Sequence, residues 1–408
     1  MAQHHHGGLG QRRASFLPPF NQRAQLQWTC NSDYKKELVR YHEETAKCNN
    51  DYIKRVRNER FSRYWQRMLH RTLRREQLVL FISQDIETYS GSLKTRTGLL
   101  DYYEKTLKQL KNDFAEIGTT LTTIFGNGTR LEPMSDLDHF SYYSLFLNPT
   151  LADRFELDFA KLYHPALTIQ ELCWHGDGVG LNEKIGFYLD SHYHNIFSLK
   201  RWPQKTYPSL IHRLTSLPFL DYQITINLEP IPVRHEISKE EKAMDRLRGD
   251  YREEGKQSIA VALKKKEKKI DSLAQGFSFP FNVQYLIRVW DRTETGLQSK
   301  SAAIRNAINN MNGAQVHETA LPTTAKKLFF ASWPGWTGSS YQVFVVTGCA
   351  DRDHFGFQIQ SFDSYIEALF GELNFDAPYV CLFARSERGM GVSPAKKEGV
   401  AGKRESSP

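Results

Sequence analysis

The stretch LTSLPFLDYQITINLEPI, residues 214–231, contains the clearest strand signal of the chain. In it, Tyr222, Ile224, Ile226 and Leu228 alternate strictly with polar residues. Successive side chains of a strand point to opposite faces, so this alternation predicts a strand with one face in the core and one in solvent. A short helix opened by a proline is predicted just before it, at 207–217.

Downstream of this strand, the sequence predicts a long charged helical region over 236–275. A strand at 283–290 and helices at 302–311 and 323–330 follow it. A lysine run lies within the helical region and is formed by Lys264, Lys265, Lys266, Lys268 and Lys269. Such runs are typical of a solvated face or a protruding helix.

Upstream, helices and strands are also mixed. Strands are predicted at 77–82, 185–189 and 194–199, and helices at 97–124 and 136–147. We therefore expect an α+β fold with mixed sheets flanked by helices. The predicted divisions are a flexible tail over 1–33, a helical N-terminal region with a short strand over 34–150, an α+β central domain over 151–345, and an unassigned remainder over 346–408 with a polar, disordered tail from about 386.

A basic segment belongs to the helical N-terminal region, where one or two helices are predicted over 34–75. An apolar face recurs at helical spacing, formed by Phe61, Tyr64, Trp65, Met68 and Leu69. The other face is cationic, formed by Lys54, Arg55, Arg57, Arg60, Arg63, Arg67, Arg71, Arg74 and Arg75. This pattern fits a solvated face on a helix packed in the core, a helix on an anionic membrane, or a helix along nucleic-acid phosphates.

Composition bounds the class of protein. The chain has 408 residues, with 40% hydrophobic residues, 25% charged residues and a net charge of +8, which fits a globular protein of two or three domains. Its five cysteines contain no CxxC pair and are expected to be free thiols: Cys30, Cys48, Cys173, Cys349 and Cys381. No apolar stretch approaches the ~20 residues of a membrane-spanning helix, and no signal peptide is expected.

Nucleotide-binding and catalytic motifs are weak in this sequence. The nearest approach to a P-loop, GDYREEGKQS at Gly249–Ser258, has its glycines one residue too far apart and Gln257 in place of the required hydroxyl. The glycine-rich loop His175–Gly180 is interpreted as a tight turn rather than a ligand site. His192 and His194 share one strand face and could bind zinc only with a third ligand, so hydrogen-bonded strand histidines are favoured.

The order of landmarks in the middle of the chain resembles a known family. FSLKRWP (Phe197–Pro203) precedes the quoted stretch, VQYLIRVW follows the charged helices, and TTAKKLFFASWPGW (Thr323–Trp336) closes the series. This succession resembles the N-terminal and central region of the VirB/TrbE/CagE ATPases of type IV secretion and conjugal transfer. The matching landmarks are Trp202, Pro203, Phe329, Phe330, Pro334 and Gly335, and the resemblance covers about residues 140–340.

The resemblance implies a scaffold rather than a motor. Family members continue into a P-loop ATPase domain that uses ATP and magnesium, whereas this chain contains no Walker motif, so no cofactor and no catalytic residue are assigned to it. The resemblance implies docking at the cytoplasmic face of the bacterial inner membrane, contact with other secretion subunits, and homo-oligomers. We therefore predict a non-catalytic docking module.

Two alternatives stay open. One is a nucleic-acid-binding protein that uses the arginines of 55–75 and the lysines of 264–269 against phosphates. The other is an enzyme that uses the His175–Gly180 loop together with His192 and His194.

Overall fold

The fold is α+β, as predicted, and is built on one sheet of eleven strands. The computed structural model describes residues 22–85, 96–125, 132–154, 157–164, 166–167, 172–173, 179–182, 186–201, 203, 212–276, 278–311, 313–318, 322–335, 344–349 and 379–385.

The strands are β1 (Gln22–Asn31), β2 (Arg75–Asp85), β3 (Glu132–Pro133), β4 (Val179–Asn182), β5 (Gly186–Leu189), β6 (His192–Arg201), β7 (Tyr222–Pro230), β8 (Ser278–Asp291), β9 (Gln315–Glu318), β10 (Phe344–Cys349) and β11 (Tyr379–Arg385). The α-helices are α1 (Lys35–Ala46), α2 (Asp51–Leu69), α3 (Arg96–Phe125), α4 (Asp136–Leu147), α5 (Phe159–Leu162), α6 (His212–Thr215), α7 (Val233–Glu254), α8 (Gln257–Ala274), α9 (Glu294–Asn309) and α10 (Pro322–Ala331).

The sheet is almost entirely antiparallel. Its strand order is β3-β11-β2-β1-β7-β8-β6-β5-β4, with β10 paired to β8 and β9 paired to β6. Among the strands that the structure describes, only β11 adds parallel pairings, to β2 and β3. The predicted mixture of strand directions is therefore present, but in one sheet rather than several.

The first strand corrects the prediction of a flexible tail over 1–33. Residues 22–31 form β1, which lies between β2 and β7 in the sheet. Leu26 and Trp28 on this strand are buried. The prediction was wrong here because β1 alternates apolar residues with glutamine and threonine, so its mean polarity hides a strand with a buried face. Residues 1–21 lie outside the described part of the chain.

The sheet also crosses the predicted boundary at 150–151. β1 and β2 come from the predicted N-terminal region, and β1 pairs directly with β7 of the predicted central domain. The region left unassigned contributes two strands as well, since β10 pairs with β8 and β11 pairs with β2. The predicted polar tail from about 386 lies outside the described residues.

One face of the sheet is apolar. Leu26, Trp28, Ile224 and Ile287 are among the residues that point to this face from the central strands. Helix α9 packs on it with Leu297, Ile304 and Ile308, and Phe114 of α3 and Leu214 of α6 join the same core. Burial of this continuous apolar layer is the main source of the fold's stability.

The opposite face carries polar side chains and is nevertheless buried. On β7, Gln223, Thr225 and Asn227 point to this face and are at most 2% exposed. The expectation of a half-buried strand at 222–228 was therefore wrong, because helices α4 and α10 cover the face that the alternation assigned to solvent.

The helical predictions hold with shifted ends. The charged region forms the antiparallel pair α7–α8, and Gly255 with a φ of 63° ends α7 in the left-handed conformation that glycine adopts without strain. Helix α9 starts at Glu294 rather than near Ala302, because the Thr293 side chain caps it by accepting from the Gly296 amide. Of the helix predicted at 207–217, residues 212–217 are described, and His212–Thr215 among them form α6.

Candidate functional site

The basic segment forms helix α2, which begins at a side-chain cap. The Asn50 side chain accepts hydrogen bonds from the amides of Tyr52 and Ile53 at 3.0 and 3.1 Å. Such a cap satisfies two of the amide groups that a helix start leaves without partners. Met68, near the other end, is the buried residue of the helix, so most of α2 lies at the surface of the described protein.

An outward stripe of α2 combines apolar and cationic residues. Tyr52, Val56, Arg60, Arg63 and Arg67 follow one another at spacings of four, four, three and four, which places them on one helical face. Tyr52 is 67% exposed and Val56 is 36% exposed. The three arginines are exposed too, and among the described residues none of them forms an ion pair. We call these five residues the α2 stripe.

Four other cations of the predicted basic surface are engaged inside the protein. Arg57 donates to Thr45 Oγ1 at 3.0 Å and lies over the Tyr41 ring, with 4.5 Å between the guanidinium carbon and the ring centroid. Arg71 lies 3.4 Å from Asp221, and Arg75 donates to Glu37 at 2.8 Å.

Arg74 is engaged in the same way, because it donates to Glu76 at 2.6 Å and to the Leu217 carbonyl at 2.8 Å. The structure therefore divides the predicted basic surface into arginines that are exposed on α2 and arginines that are bonded to other groups of the protein. Arg55 is exposed beside the stripe and lies 5.7 Å from the Tyr52 ring centroid.

The predicted charged helices form a hairpin whose base is tied by ion pairs. Lys269 donates to Glu236 at 2.8 Å and to Glu240 at 2.6 Å, and Lys266 also donates to Glu240. Burial raises the pKa of Glu240, but these hydrogen bonds lower it by more, to about 2. The P-loop-like segment Gly249–Ser258 lies at the tip, where it forms the end of α7, the turn and the start of α8.

The closing landmarks of the family resemblance form one structural unit on the polar face of the sheet. Phe329 is buried at the end of α10, whereas Phe330 is 51% exposed. Pro334 and Gly335 follow in a turn, and Gly335 has a φ of 71°. Of the opening landmarks, Pro203 is buried and Trp202 lies outside the described residues.

Side-chain amides of the sheet hold this unit. Gln25 donates to the Trp333 carbonyl at 2.9 Å, Gln27 to the Ser332 carbonyl at 2.8 Å, and Asn227 to the Ala331 carbonyl at 2.7 Å. Ala331 is the last residue of α10 and Ser332 and Trp333 follow it directly; a helix leaves the carbonyls of its last turn without intrahelical partners. The sheet therefore caps the helix.

The capping amides also bond to one another and to helix α4. Gln25 donates to Asn227 at 2.8 Å, and Asn227 donates to Gln284 at 2.9 Å. From α4, Tyr142 donates to Gln27 at 2.7 Å and Tyr143 donates to the Pro334 carbonyl at 2.6 Å. We call Gln25, Gln27, Asn227 and Gln284 the amide array; it links three strands, α4 and α10.

The two strand histidines are buried and hydrogen-bonded. His192 Nδ1 lies 2.7 Å from the Asp190 carbonyl, and His194 Nε2 lies 3.4 Å from the Leu189 carbonyl. Burial lowers the pKa of both imidazoles, most strongly that of His194. Within the described part of the chain no group of three metal-ligating residues occurs. His175 lies outside that part, and Gly180 belongs to β4.

Sequence reasoning missed the amide array and Arg288. The alternation of β1 and β7 marked Gln25, Gln27 and Asn227 as a separate face, but it assigned that face to solvent. Arg288 is 3% exposed and lies inside the predicted strand at 283–290, where a single cation gave no recognisable signal.

Comparison with known proteins adds no assignment: no family model matches this chain, and no curated protein matches it. The helices that the structure describes include none with the length and apolar character needed to cross a membrane.

Proposed function

We propose that the chain is a non-catalytic docking and assembly module, of the kind that the resemblance to VirB/TrbE/CagE secretion ATPases implies. In this proposal it attaches to the anionic cytoplasmic surface of the bacterial inner membrane and contacts other secretion subunits. The single observation that carries the proposal is the α2 stripe, in which exposed arginines that form no ion pair with any described residue continue an exposed apolar segment.

The chemistry of the stripe suits an anionic lipid surface. Arginines near such a surface contribute about 1 kcal/mol each, and exposed apolar side chains enter the headgroup boundary. Tyr52 supplies an apolar ring with a polar hydroxyl, a combination that favours the interface between lipid and water. The engaged cations Arg57, Arg71, Arg74 and Arg75 have no part in this docking, since their guanidinium groups already contact protein groups.

The amide array supports the assembly part of the proposal. It binds the carbonyls of Ala331, Ser332 and Trp333 and the amide of Gly335, and so holds the end of α10 on the sheet. A module that positions other subunits needs elements that are held rigidly.

Vesicle sedimentation tests the membrane proposal. The purified chain is expected to sediment with vesicles containing about 30% anionic phospholipid, to be released by high salt, and to remain in the supernatant with neutral vesicles. The variant Arg60→Glu/Arg63→Glu/Arg67→Glu should bind at least about tenfold more weakly. Equal sedimentation with neutral and anionic vesicles would contradict the proposal.

Nucleic acid is the second candidate partner, since phosphates attract the same arginines. Fluorescence anisotropy with a labelled single-stranded oligonucleotide in the same buffer distinguishes the two. Tighter binding to the oligonucleotide than to anionic vesicles, lost in the same triple variant, would favour this second candidate.

A further inference from the structure

The sheet carries a pair of helices at each of two opposite ends. Helices α1 and α2 connect the end of β1 to the start of β2, where Asn31 and Arg75 pair across the strands. Helices α7 and α8 connect the end of β7 to β8. The start of β7 is at the α1–α2 end, because Tyr222 pairs with Cys30 of β1. β7 has 9 residues and a strand rises about 3.3 Å per residue, so the two helix pairs leave the sheet roughly 26 Å apart.

The outer part of the α7–α8 hairpin extends away from the sheet. The buried residues of the two helices all lie at the base of the hairpin: Glu236, Glu240, Ser272 and Leu273. From position 241 to position 271, every residue is exposed or half-buried. A helix rises about 1.5 Å per residue, so the turn at Gly255 lies roughly 20 Å beyond the base. The hairpin therefore presents its surface at the end of the sheet opposite α2.

The lysines in the middle of α8 divide between two faces of the helix. Lys266 and Lys269 point toward α7, where Glu236 and Glu240 hold them. One valine and three further lysines lie on the opposite, outward face, since the lysines follow the valine by three, four and seven positions. We call these four residues the lysine face: Val261, Lys264, Lys265 and Lys268.

The charges of the lysine face are not compensated within the described protein. All three lysines are exposed, and none forms an ion pair with a described residue. The neighbouring carboxylate of Glu267 is directed to α7, where it lies 3.4 Å from Arg248. Lys264 and Lys268 are four positions apart, so their like charges repel and weaken the helix. Carboxylates from a partner would relieve this repulsion.

Two further features narrow the choice of partner. Val261 is 50% exposed, so the lysine face offers an apolar contact as well as charge, which a protein partner uses and a phosphate backbone does not. A second copy of the same face would place lysines against lysines across a two-fold axis. The partner that fits is therefore a different, acidic protein surface with an apolar residue in it.

We propose that the lysine face binds an acidic amphipathic helix of another protein subunit. The carboxylates of that helix pair with the three lysines, and an apolar residue of it packs on Val261. The partner helix lies along α8 and adds a third helix to the hairpin. This inference rests on the proposed docking and assembly function, and it names the surface and the chemistry of the assembly contact. The α2 stripe then holds the membrane at one end of the sheet, while the hairpin holds the partner at the other.

Fluorescence anisotropy with a labelled synthetic peptide tests the proposal in solution. The probe is a helix of about three heptads, with leucine at the a and d positions and glutamate at the flanking positions. The full chain should bind this peptide, with an affinity that falls as salt rises, and should bind a glutamine version at least about tenfold more weakly. The variant Lys264→Glu/Lys265→Glu/Lys268→Glu should lose at least about tenfold in affinity for the acidic peptide. The matched control, Arg60→Glu/Arg63→Glu/Arg67→Glu, changes the net charge equally and should lose less than about threefold.

Vesicle sedimentation with the same peptide separates this proposal from membrane docking. The acidic peptide alone should stay in the supernatant with anionic vesicles, and it should sediment with them once the wild-type chain is added. Peptide binding in solution without vesicle binding would contradict membrane docking and leave the lysine face supported. Equal affinity for the acidic and glutamine peptides, or wild-type affinity in the lysine-face variant, would overturn the proposal. Tighter binding of a single-stranded oligonucleotide than of the acidic peptide, lost in that variant, would also overturn it and assign the face to nucleic acid.

Discussion

Helix α2 and the α7–α8 hairpin both carry runs of cationic residues, but the two regions use them differently. In α2, Arg60, Arg63 and Arg67 are exposed on the α2 stripe and form no ion pair within the described protein. In the hairpin, Lys266 and Lys269 are held by Glu236 and Glu240, and the Glu236 side chain is only 1% exposed. The first set is available to a partner, whereas the second contributes to the fold.

The difference teaches that the number of cations in a helix does not tell whether it is a binding surface. Both segments carry a run of cations, and the sequence left both open to binding nucleic-acid phosphates. What separates Lys266 and Lys269 from the stripe arginines is their distance from a carboxylate, whereas Lys264, Lys265 and Lys268 of the hairpin are exposed and form no ion pair among the described residues. Carboxylates one helix away, as in the hairpin, convert a basic run into a structural tie.

The largest expected effect is on the ion pairs of Lys266 and Lys269 with Glu236 and Glu240, which we call the hairpin tie. Glu240→Ala removes the acceptor shared by Lys266 and Lys269 and should lower the local free energy of unfolding of the hairpin by about 3 kcal/mol. Arg63→Ala on the stripe should change stability by less than about 0.5 kcal/mol. Hydrogen exchange of peptides from α7 and α8 measures both. Unchanged exchange in Glu240→Ala would remove the distinction between the two regions.

Acid should destabilise the packing of α4 on the sheet at a higher pH than it weakens the hairpin tie. Burial lowers the pKa of His139 on α4 to about 4, although Asp136 and Asp138 raise it. The contribution of neutral His139 to stability is therefore complete above the unfolded pKa of about 6.5. It decreases steadily below that pH and is fully lost once the pH has fallen through 4. At pH 5 the loss is about 2 kcal/mol.

The hairpin tie persists through that range, because Glu240, with a pKa of about 2, loses its contribution only below about pH 4.5. Urea unfolding and hydrogen exchange at pH 7 and pH 5 check this expectation. In His139→Gln the stability loss between these pH values should shrink. A larger loss of exchange protection between pH 7 and pH 5 in the hairpin than in α4 would contradict it.

A smaller effect compares two arginines within α2 itself. Arg57→Ala loses the hydrogen bond to Thr45 and the contact with the Tyr41 ring, and should cost about 1 kcal/mol. Arg60→Ala, three residues away on the stripe, should leave the urea midpoint unchanged within error. Equal losses would show that the stripe arginines also contribute to the fold.

The fold class, the longer helices and five of the eleven described strands, β2, β5, β6, β7 and β8, could be predicted from sequence. The alternation of Tyr222–Leu228 predicted β7, and the helical spacing from Leu99 onward predicted α3, because local periodicity reports local structure directly. Strand β1 was missed because its glutamines made it resemble a polar tail. Strands β10 and β11 were not assigned, since their pairing with β8 and β2 depends on distant residues.

The candidate site was predicted only in part. The sequence supplied the cations of 55–75, but their division into exposed and engaged residues depends on Glu37, Thr45 and Asp221, which lie elsewhere in the chain. The amide array depends likewise on contact between Asn227 and a helix end that follows it by 104 positions. Periodicity along one segment carries no information about such partners.

Vesicle binding by two matched triple variants tests the central claim, that the docking surface is the α2 stripe, where unpaired arginines continue exposed apolar side chains, and not any exposed run of cations. One variant reverses the stripe, Arg60→Glu/Arg63→Glu/Arg67→Glu, and the other reverses exposed lysines of the hairpin, Lys264→Glu/Lys265→Glu/Lys268→Glu. The net charge changes equally in both. At about 0.1 M salt, anionic-vesicle affinity should fall at least about tenfold in the stripe variant and less than about threefold in the hairpin variant. Equal losses in the two variants, or wild-type affinity in the stripe variant, would contradict the account.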